Sequence, residues 1–303
     1  YSVLMVVSTI GNVTVLWLLT KRRLRGPSRI DFMLMHLAIA DLLVTFLMMP
    51  MEIAWAYTVS WRAGDFMCRI MAFFRTFGIY LSSFILVCIS VDRYYAVLKP
   101  LRISDTRGKV MIAAAWISSI FFSTPQAIIF HLEKHPNITT YEQCVTYNFF
   151  ENEFHIVIYS MIGMIMMYAL PLIIIIFCYG SIYIEIYKKT KKVLTGTERF
   201  RRSNDDVLGR AKRRTLKMTI TIVIVFVVCW TPFYVMSMWY WFDRESALMV
   251  DQRVQKGLFL FASTNSCMNP IVYGIFNIRG RVDKTNNVSS FSDWAFIKVS
   301  NLW

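Results

Sequence analysis

Ionisable side chains lie within or at the end of long apolar stretches, where lipid makes an isolated charge costly. Asp41 stands inside one stretch and Arg75 inside another, which ends in the pair Asp92-Arg93. Charged residues at membrane depth face the interior of a helix bundle or lie at a water boundary, and they usually pair with one another. Basic residues follow the Asp-Arg pair, which places it at the cytoplasmic boundary. The pattern indicates charge pairing inside a bundle of membrane helices.

The sequence carries no recognisable catalytic pattern. It has no His-Glu-x-x-His run, no phosphate-binding loop and no nucleophile elbow. The stretch from His131 to His135 could offer metal ligands, but it lacks further ligands nearby. We therefore expect a protein that is not an enzyme and that has no metal centre.

The composition predicts an all-α protein that crosses the membrane several times. Of its 303 residues 56% are hydrophobic and only 17% are charged, whereas soluble domains carry about a quarter charged residues. Seven apolar segments have close to the roughly 20 residues that a helix needs to cross a bilayer. They are Tyr1–Leu19, Phe32–Tyr57, Ile70–Val91, Val110–Phe130, His155–Ile184, Met218–Phe242 and Val254–Phe276.

The positive charge is concentrated on one side of this arrangement. Most of the 33 Lys and Arg residues, which give a net charge of +14, fall in the first, third and fifth connections and after Phe276. By the positive-inside rule this side is cytoplasmic and the N-terminus is outside. The basic surface is expected to meet anionic membrane lipid, so no nucleic-acid partner is needed to explain it. In the long fifth connection we expect two helical extensions around a flexible middle.

Two cysteines and one asparagine stand out on the predicted outer side. Of six cysteines, only Cys68 and Cys144 fall at outer boundaries, where an oxidising compartment permits a bridge. Cys88, Cys178, Cys229 and Cys267 lie in apolar segments and are interpreted as small packing residues. Asn137 begins an Asn-Ile-Thr triplet and is a predicted glycosylation site.

We expect two regions in the chain. Residues 1–278 form the membrane domain, which starts inside its first helix and is expected to lack an N-terminal piece. Residues 279–303 form a short cytoplasmic tail rich in weak helix formers, so we expect at most a turn or two of helix after Phe276.

Polar and helix-breaking residues recur in order along the apolar segments, and together they are more specific than any one alone. The run comprises Gly11-Asn12, Asp41, Ser82, Asp92-Arg93-Tyr94, Trp116, Pro171, Tyr179, Cys229-Trp230-Thr231-Pro232, Asn265-Ser266 and Asn269-Pro270-Ile271-Val272-Tyr273. From Gly11 to about Asn277 the sequence resembles rhodopsin-like (class A) G-protein-coupled receptors.

This resemblance implies a bundle of seven transmembrane helices in the plasma membrane, with a heterotrimeric G protein and arrestin as partners. It implies a disulfide between Cys68 and Cys144, and a hinge role for Trp230 beneath the ligand. The residues that it places around a resting-state sodium ion are Asp41, Ser82, Asn265, Ser266 and Asn269. Those that it places in the switch facing the G protein are Asp92, Arg93, Tyr94, Tyr179 and Tyr273.

The match narrows to one group of receptors within that superfamily. The run Cys229–Tyr234, followed by Trp239–Asp243, resembles receptors for gonadotropin-releasing hormone and their arthropod relatives. The runs His135–Asn137 and Tyr141–Tyr147 resemble the insect adipokinetic hormone receptors in particular, with corazonin receptors next. The resemblance implies a short blocked neuropeptide as ligand and mobilisation of stored lipid and carbohydrate as the outcome.

Two other classes of membrane protein fit the sequence less well. An opsin needs a Schiff-base lysine seven residues before Pro270, and that position is Ser263. A transporter or channel would show an internal repeat or charged, broken helices at the bilayer midplane, and Asp41 alone is too little. The receptor interpretation is therefore preferred.

The ligand is expected to contact Arg75. Counting along the helices at about 1.5 Å per residue puts Glu52 and Arg75 at heights that differ by about 6 Å, within reach of two long side chains. Arg75 could pair with Glu52 and only pack, or the pair could serve the ligand, because a guanidinium offers five donors to peptide carbonyls. The aromatic residues expected to line the same cavity are Trp55, Trp230, Phe233, Tyr234 and Tyr240.

The resting state of Arg93 is expected to depend on its neighbour. Many rhodopsin-like receptors hold this arginine with an acid at the foot of the sixth helix, where this chain has Lys212. A like charge cannot hold Arg93, so we expect Asp92 to do so.

Overall fold

In the computed structural model, residues 1–24, 28–99, 105–135, 137–194 and 205–276 are described, and they are almost entirely helical. The tail at 279–303 lies outside this part. So does the region after Phe276 in which at most a turn or two of helix was predicted. The elements in chain order are α1 (Ser2–Arg23), α2 (Arg29–Leu43), α3 (Met49–Thr58), α4 (Gly64–Leu98), α5 (Asp105–Ile129), β1 (His131–His135), β2 (Ile138–Val145), α6 (Glu153–Met164), α7 (Leu170–Leu194), α8 (Asp205–Phe242), α9 (Arg244–Leu248), α10 (Gln252–Ser263) and α11 (265–276).

Six spans in the described part are long and apolar enough to cross a membrane. They correspond to the first six predicted segments. The seventh predicted segment is the pair α10 and α11, which a turn at Thr264 separates. The helical extensions predicted for the fifth connection are present, since α7 continues to Leu194 and α8 begins at Asp205.

Helix α4 forms the centre of the bundle and packs against α2, α5, α7 and α8. Its inward face is apolar, and Leu81, Ile85 and Ile89 are almost completely buried. Close approach to the second span depends on Gly78, where an added Cβ would lie 2.6 Å from Val44 Cγ2. A larger residue there would force the helices apart, which is costly in a close-packed interior.

Two spans contain π-helical turns that the sequence did not predict. Residues Val44–Met48 connect α2 to α3, and residues Ile165–Ala169 connect α6 to α7. Each turn is followed within two residues by a proline, Pro50 or Pro171, which has no backbone N–H to donate. Such turns commonly lie at functional sites, because they rotate the side chains beyond them.

The fourth connection contains a β-hairpin, which the sequence did not predict. Strands β1 and β2 are antiparallel, with Leu132 opposite Cys144 and an irregularity at Lys134/His135. Asn137 lies in the turn between the strands and is exposed, as a glycosylated residue must be.

Candidate functional site

A disulfide joins the bundle to the hairpin. Cys68, in the first turns of α4, is bonded to Cys144 of β2, so the predicted pairing is confirmed. The other four cysteines are free and buried, consistent with packing roles.

Polar contacts that the sequence did not predict hold the same hairpin in place. The Asp65 carboxylate accepts a hydrogen bond from the backbone N–H of Leu132 and pairs with Arg69. The Arg69 guanidinium also donates to the carbonyl of Ile128 at the end of α5. On the other side, Gln143 accepts a 2.7 Å hydrogen bond from the indole of Trp55. The hairpin is thus fastened to α3 and α4 independently of the disulfide.

Asp41 lies at the centre of a buried polar cluster in the middle of the bundle. Its side chain is fully buried, and its two oxygens accept hydrogen bonds from Ser82 at 3.3 Å and from Asn269 at 2.8 Å. No cationic side chain in the described part pairs with it. A buried carboxylate without a cation is costly, so this geometry is suited to a small cation.

Three further residues extend this cluster toward α1. The Ser8 and Thr45 hydroxyls are 2.6 Å apart, and the Asn12 side chain donates to the carbonyl of Ser266 at 2.9 Å. Thr45 also donates to the backbone carbonyl of Asp41. Ser8 and Thr45 were missed because single small hydroxyl residues are common in membrane helices and carry no signal alone.

Two amide oxygens in the cluster lack a partner in the structure. They are Oδ1 of Asn265 and Oδ1 of Asn269, both buried. With the Asp41 carboxylate they form a set of hard oxygen donors, which suits an alkali or alkaline-earth cation. The donor types present suit the sodium ion that the sequence resemblance implies, with Asp41 and Asn269 lining one small cavity and Asn265 lining another.

Arg75 and Glu52 form the predicted ion pair in the half of the bundle nearer the disulfide. Arg75 Nη2 lies 3.2 Å from Glu52 Oε1, and both side chains are mostly buried. The guanidinium carbon also lies 4.6 Å from the ring centroid of Phe259 in α10, a cation–π contact. Phe259 was not identified from the sequence.

The aromatic residues predicted to line one ligand cavity do not all line the same cavity in the structure. A cavity of about 700 Å³ between α4, α5, α6 and α8 is lined by Phe233, Tyr234 and Tyr240. Trp55 does not line it, because its indole packs against Trp61 and bonds to Gln143. Trp230 lies deeper, beside Phe233 and Tyr234. The expectation of a single cavity lined by all five aromatic residues is therefore wrong.

Trp230 lines a much smaller cavity of about 10 Å³, next to the polar cluster around Asp41. Ser82, Asn265 and Ser266 line the same space, which can hold about one water molecule. The side chain expected to act as a hinge thus lies between the large outer cavity and the proposed ion site.

The residues predicted for the switch lie at the end of the bundle opposite the disulfide. Arg93 pairs with Asp92 as predicted, and Arg29 of α2 lies 3.6 Å from the other Asp92 oxygen. Tyr94 packs near Phe177 of α7. Within the described residues no hydrogen bond joins Arg93, Tyr179 and Tyr273. The side chain of Lys212 lies outside the described part.

Comparison with known proteins identifies the family. The model of the family "7 transmembrane receptor (rhodopsin family)" matches residues 11–273. The chain belongs to this family. It is 37% identical over 286 residues to the gonadotropin-releasing hormone II receptor of Clarias gariepinus, covering 93% of this chain and 75% of that receptor. It is 36% identical over 267 residues to the gonadotropin-releasing hormone receptor of Mus musculus, covering 86% and 81%.

Within the rhodopsin family the chain is a member of the gonadotropin-releasing hormone receptor family. The gonadotropin-releasing hormone receptor of Sus scrofa supports the same family assignment. It is 35% identical over 268 residues, which cover 86% of this chain and 81% of that receptor. The protein is thus a multi-pass membrane receptor and not an enzyme, a transporter or a channel. In this receptor the aromatic cavity lies to one side of the ion pair, and the buried Asp41 lies eleven residues before Glu52 along the second span.

Proposed function

We propose that the protein is a plasma-membrane receptor for a short, blocked neuropeptide of the adipokinetic hormone type, acting through heterotrimeric G proteins to mobilise energy stores. Its relatives carry the name of a peptide hormone, gonadotropin-releasing hormone. The adipokinetic assignment is supported by the runs His135–Asn137 and Tyr141–Tyr147. The N-terminus is extracellular, as the positive-inside rule requires, and arrestin and anionic lipid are further cytoplasmic partners.

The observation that carries this proposal is the Arg75–Glu52 pair beside Phe259. A peptide blocked at both ends has no terminal charges, so it is recognised through carbonyls, amide groups and rings. Arg75 supplies five donors in a mostly buried site, and the neighbouring cavity supplies aromatic walls. A receptor for a cationic amine would instead be expected to hold an unpaired acid at this level.

The alternative ligands are corazonin and gonadotropin-releasing-hormone-like peptides. The second alternative is favoured by the names of the relatives, all of which are gonadotropin-releasing hormone receptors in the matches given above. Both alternatives keep the same membrane topology and the same G-protein partner. They differ from the proposal only in which peptide fits the outer cavity.

One dose series tests the proposal. Cells that express the receptor are given adipokinetic hormone, corazonin and gonadotropin-releasing hormone, with cAMP and calcium as readouts. We expect adipokinetic hormone to act at the lowest concentration, and a guanine nucleotide to weaken its binding to membranes. A higher potency of either other peptide would reassign the ligand. If none of the peptides produced a response at normal surface expression, the proposed function would be wrong.

A further inference from the structure

The Asp92 carboxylate lies between two arginines that reach it from different helices. Arg93, its neighbour in α4, pairs with Oδ2, and Arg29 of α2 places its Nη1 atom 3.6 Å from Oδ1. The Asp92 side chain is only 5% exposed. A buried carboxylate is costly without a cation, so two separate groups stabilise this one charge.

The position of Arg29 is not explained by the helix that carries it. Arg29 is the first residue of α2, where the positive end of the helix dipole disfavours a cation. The acid in the same turn, Asp31, lies 3.8 Å from a different cation, Arg22 of α1. The contact with Asp92 therefore offsets an unfavourable position in the helix.

Arg93 leaves part of its guanidinium group unused in this state. Its Nη2 atom pairs with Asp92, whereas its Nε atom is buried and has no hydrogen-bond partner among the residues that the structure describes. A buried donor without a partner costs free energy. Arg93 thus gains less from staying beside Asp92 than a fully bonded guanidinium would, and it is suited to turning toward another partner.

Turning away breaks the Asp92–Arg93 pair, and the cost of that break depends on Arg29. Removing one partner from a buried ion pair is strongly destabilising when the other charge is left uncompensated. Arg29 contacts the other oxygen of Asp92 and belongs to another helix, so it does not have to move with Arg93. Asp92 then stays paired after Arg93 has left.

The same contact also weakens the pair in the resting state. The two guanidinium groups repel each other across the shared carboxylate, so Asp92 and Arg93 together gain less than they would without Arg29. Both effects favour the release of Arg93. Loss of Arg29 should therefore lower signalling, whereas loss of a contact that stabilises the resting state would raise it.

We propose that Arg29 is a positioning residue for the G-protein switch, which keeps Asp92 paired and in place when Arg93 turns toward the G protein. This inference rests on the proposed signalling through G proteins. It adds the residue that lowers the cost of releasing Arg93.

The test is the change Arg29→Gln, with Arg23→Gln as the matched control. Arg23 is exposed at the end of α1, and its guanidinium carbon lies 5.2 Å from the ring centroid of Phe32. The measurement is nucleotide exchange on the G protein in membranes that hold equal amounts of receptor, without peptide and at a fixed submaximal dose of the most potent peptide of the dose series. We expect Arg29→Gln to lower both rates at least about fivefold, and Arg23→Gln to leave them unchanged.

Peptide binding distinguishes positioning from a merely structural role. With excess guanine nucleotide the receptor is uncoupled and already in its resting state, so Arg29→Gln should bind the peptide with unchanged affinity. A reduced affinity under these conditions would overturn the proposal in favour of a structural role. The change Arg29→Lys keeps the charge and should retain most of the nucleotide exchange.

A second background distinguishes action through Asp92 from direct contact with the G protein. In Asp92→Asn no carboxylate remains to be paired, so adding Arg29→Gln should have no further effect on exchange. An equal loss in this background would overturn the proposal, because Arg29 would then act without Asp92.

Unchanged or raised exchange in Arg29→Gln would also overturn the proposal. Should Arg29→Gln not reach the cell surface, Arg29→Met, which is unbranched and uncharged as well, takes its place in every comparison. Exchange without peptide tests Arg29 whichever peptide is the ligand. A receptor that activates no G protein, with or without any of the peptides, would instead overturn the proposed function.

Discussion

The Arg22 guanidinium, at the end of α1, donates a hydrogen bond to the Tyr273 hydroxyl in α11 across 3.2 Å. The same nitrogen lies 3.8 Å from the carboxylate of Asp31 in the first turn of α2. Tyr273 is buried, so this contact keeps its hydroxyl on the α1 side of the bundle. Arg22 thereby connects three helices at the end of the bundle opposite the disulfide, at a tyrosine predicted to move when the G protein binds.

Loss of this contact is expected to raise basal signalling. The change Arg22→Gln removes the charge that faces Tyr273 and Asp31. A hydrogen bond is worth about 1 kcal/mol net, and a change of that size shifts a population ratio about fivefold. Basal second-messenger production without peptide, normalised to surface expression, should therefore rise up to about fivefold. The neighbour Lys21, whose ammonium lies over the Trp17 ring, provides the control Lys21→Gln. Equal basal signalling in both variants would show that Arg22 does not stabilise the resting state.

Lys212 carries the same charge as Arg93, so we expect that Arg93 is not held by a side chain at this position of α8. Because Asp92 already pairs with Arg93, introducing an acid by Lys212→Glu would add a second, competing carboxylate. We expect lower basal and stimulated signalling, measured as G-protein activation at saturating peptide. The control is Arg213→Glu, which changes the net charge by the same amount at an exposed neighbouring position. If Lys212→Glu left both activities unchanged, the electrostatic account of Arg93 would be wrong.

The helices and the disulfide were predictable from the sequence, because each depends on a strong local signal. Apolar runs of membrane length mark the helices, and only Cys68 and Cys144 lie at outer boundaries. The hairpin was missed because its strands are held by the Asp65 carboxylate and the Val59 carbonyl, which lie in distant parts of the chain. The π-helical turns were missed because a single extra residue in a helical turn leaves no mark on apolar periodicity.

The sequence predicted which charged side chains pair with each other better than it predicted which rings line the same cavity. Arg75 with Glu52 could be placed by counting residues along two helices, since both positions are fixed by helix rise. Which rings share a cavity depends instead on rotation about each helix axis and on side-chain partners. Trp55 illustrates this, because its bond to Gln143 of the hairpin draws it out of the expected cavity.

Sodium is expected to weaken agonist binding through the cluster around Asp41. A cation bound to the Asp41 carboxylate and the free oxygens of Asn265 and Asn269 would favour the resting state. Couplings between two sites are typically about 1–3 kcal/mol, so replacing N-methylglucamine chloride with NaCl should lower agonist affinity about fivefold or more.

The change Asp41→Asn should abolish this sodium effect, measured by radioligand binding at constant ionic strength. The change Asp31→Asn removes another buried acid from the same helix, outside the cluster, and should leave the sodium effect in place. A sodium effect that persisted in Asp41→Asn would exclude this cluster as the ion site.

The change Arg75→Gln should raise the peptide concentration needed for half-maximal signalling by at least about tenfold. It removes the charge while keeping a donor and most of the side-chain volume. Loss of one partner from a desolvated charged contact commonly costs 2–5 kcal/mol, and about 1.4 kcal/mol corresponds to tenfold. Arg69 lies on the same helix nearer the outer end and also pairs with an acid, Asp65, so Arg69→Gln is the matched control.

Surface expression distinguishes the two roles that Arg75 can have. If it only packs against Glu52 and Phe259, Arg75→Gln leaves a buried acid unpaired and should lower the amount of receptor at the surface. In that case the additional change Glu52→Gln should restore it, because no buried charge then remains. If Arg75 binds the peptide, Arg75→Gln is expressed normally with reduced potency, and Glu52→Gln does not restore that potency. Normal expression with unchanged potency would exclude Arg75 from the ligand site.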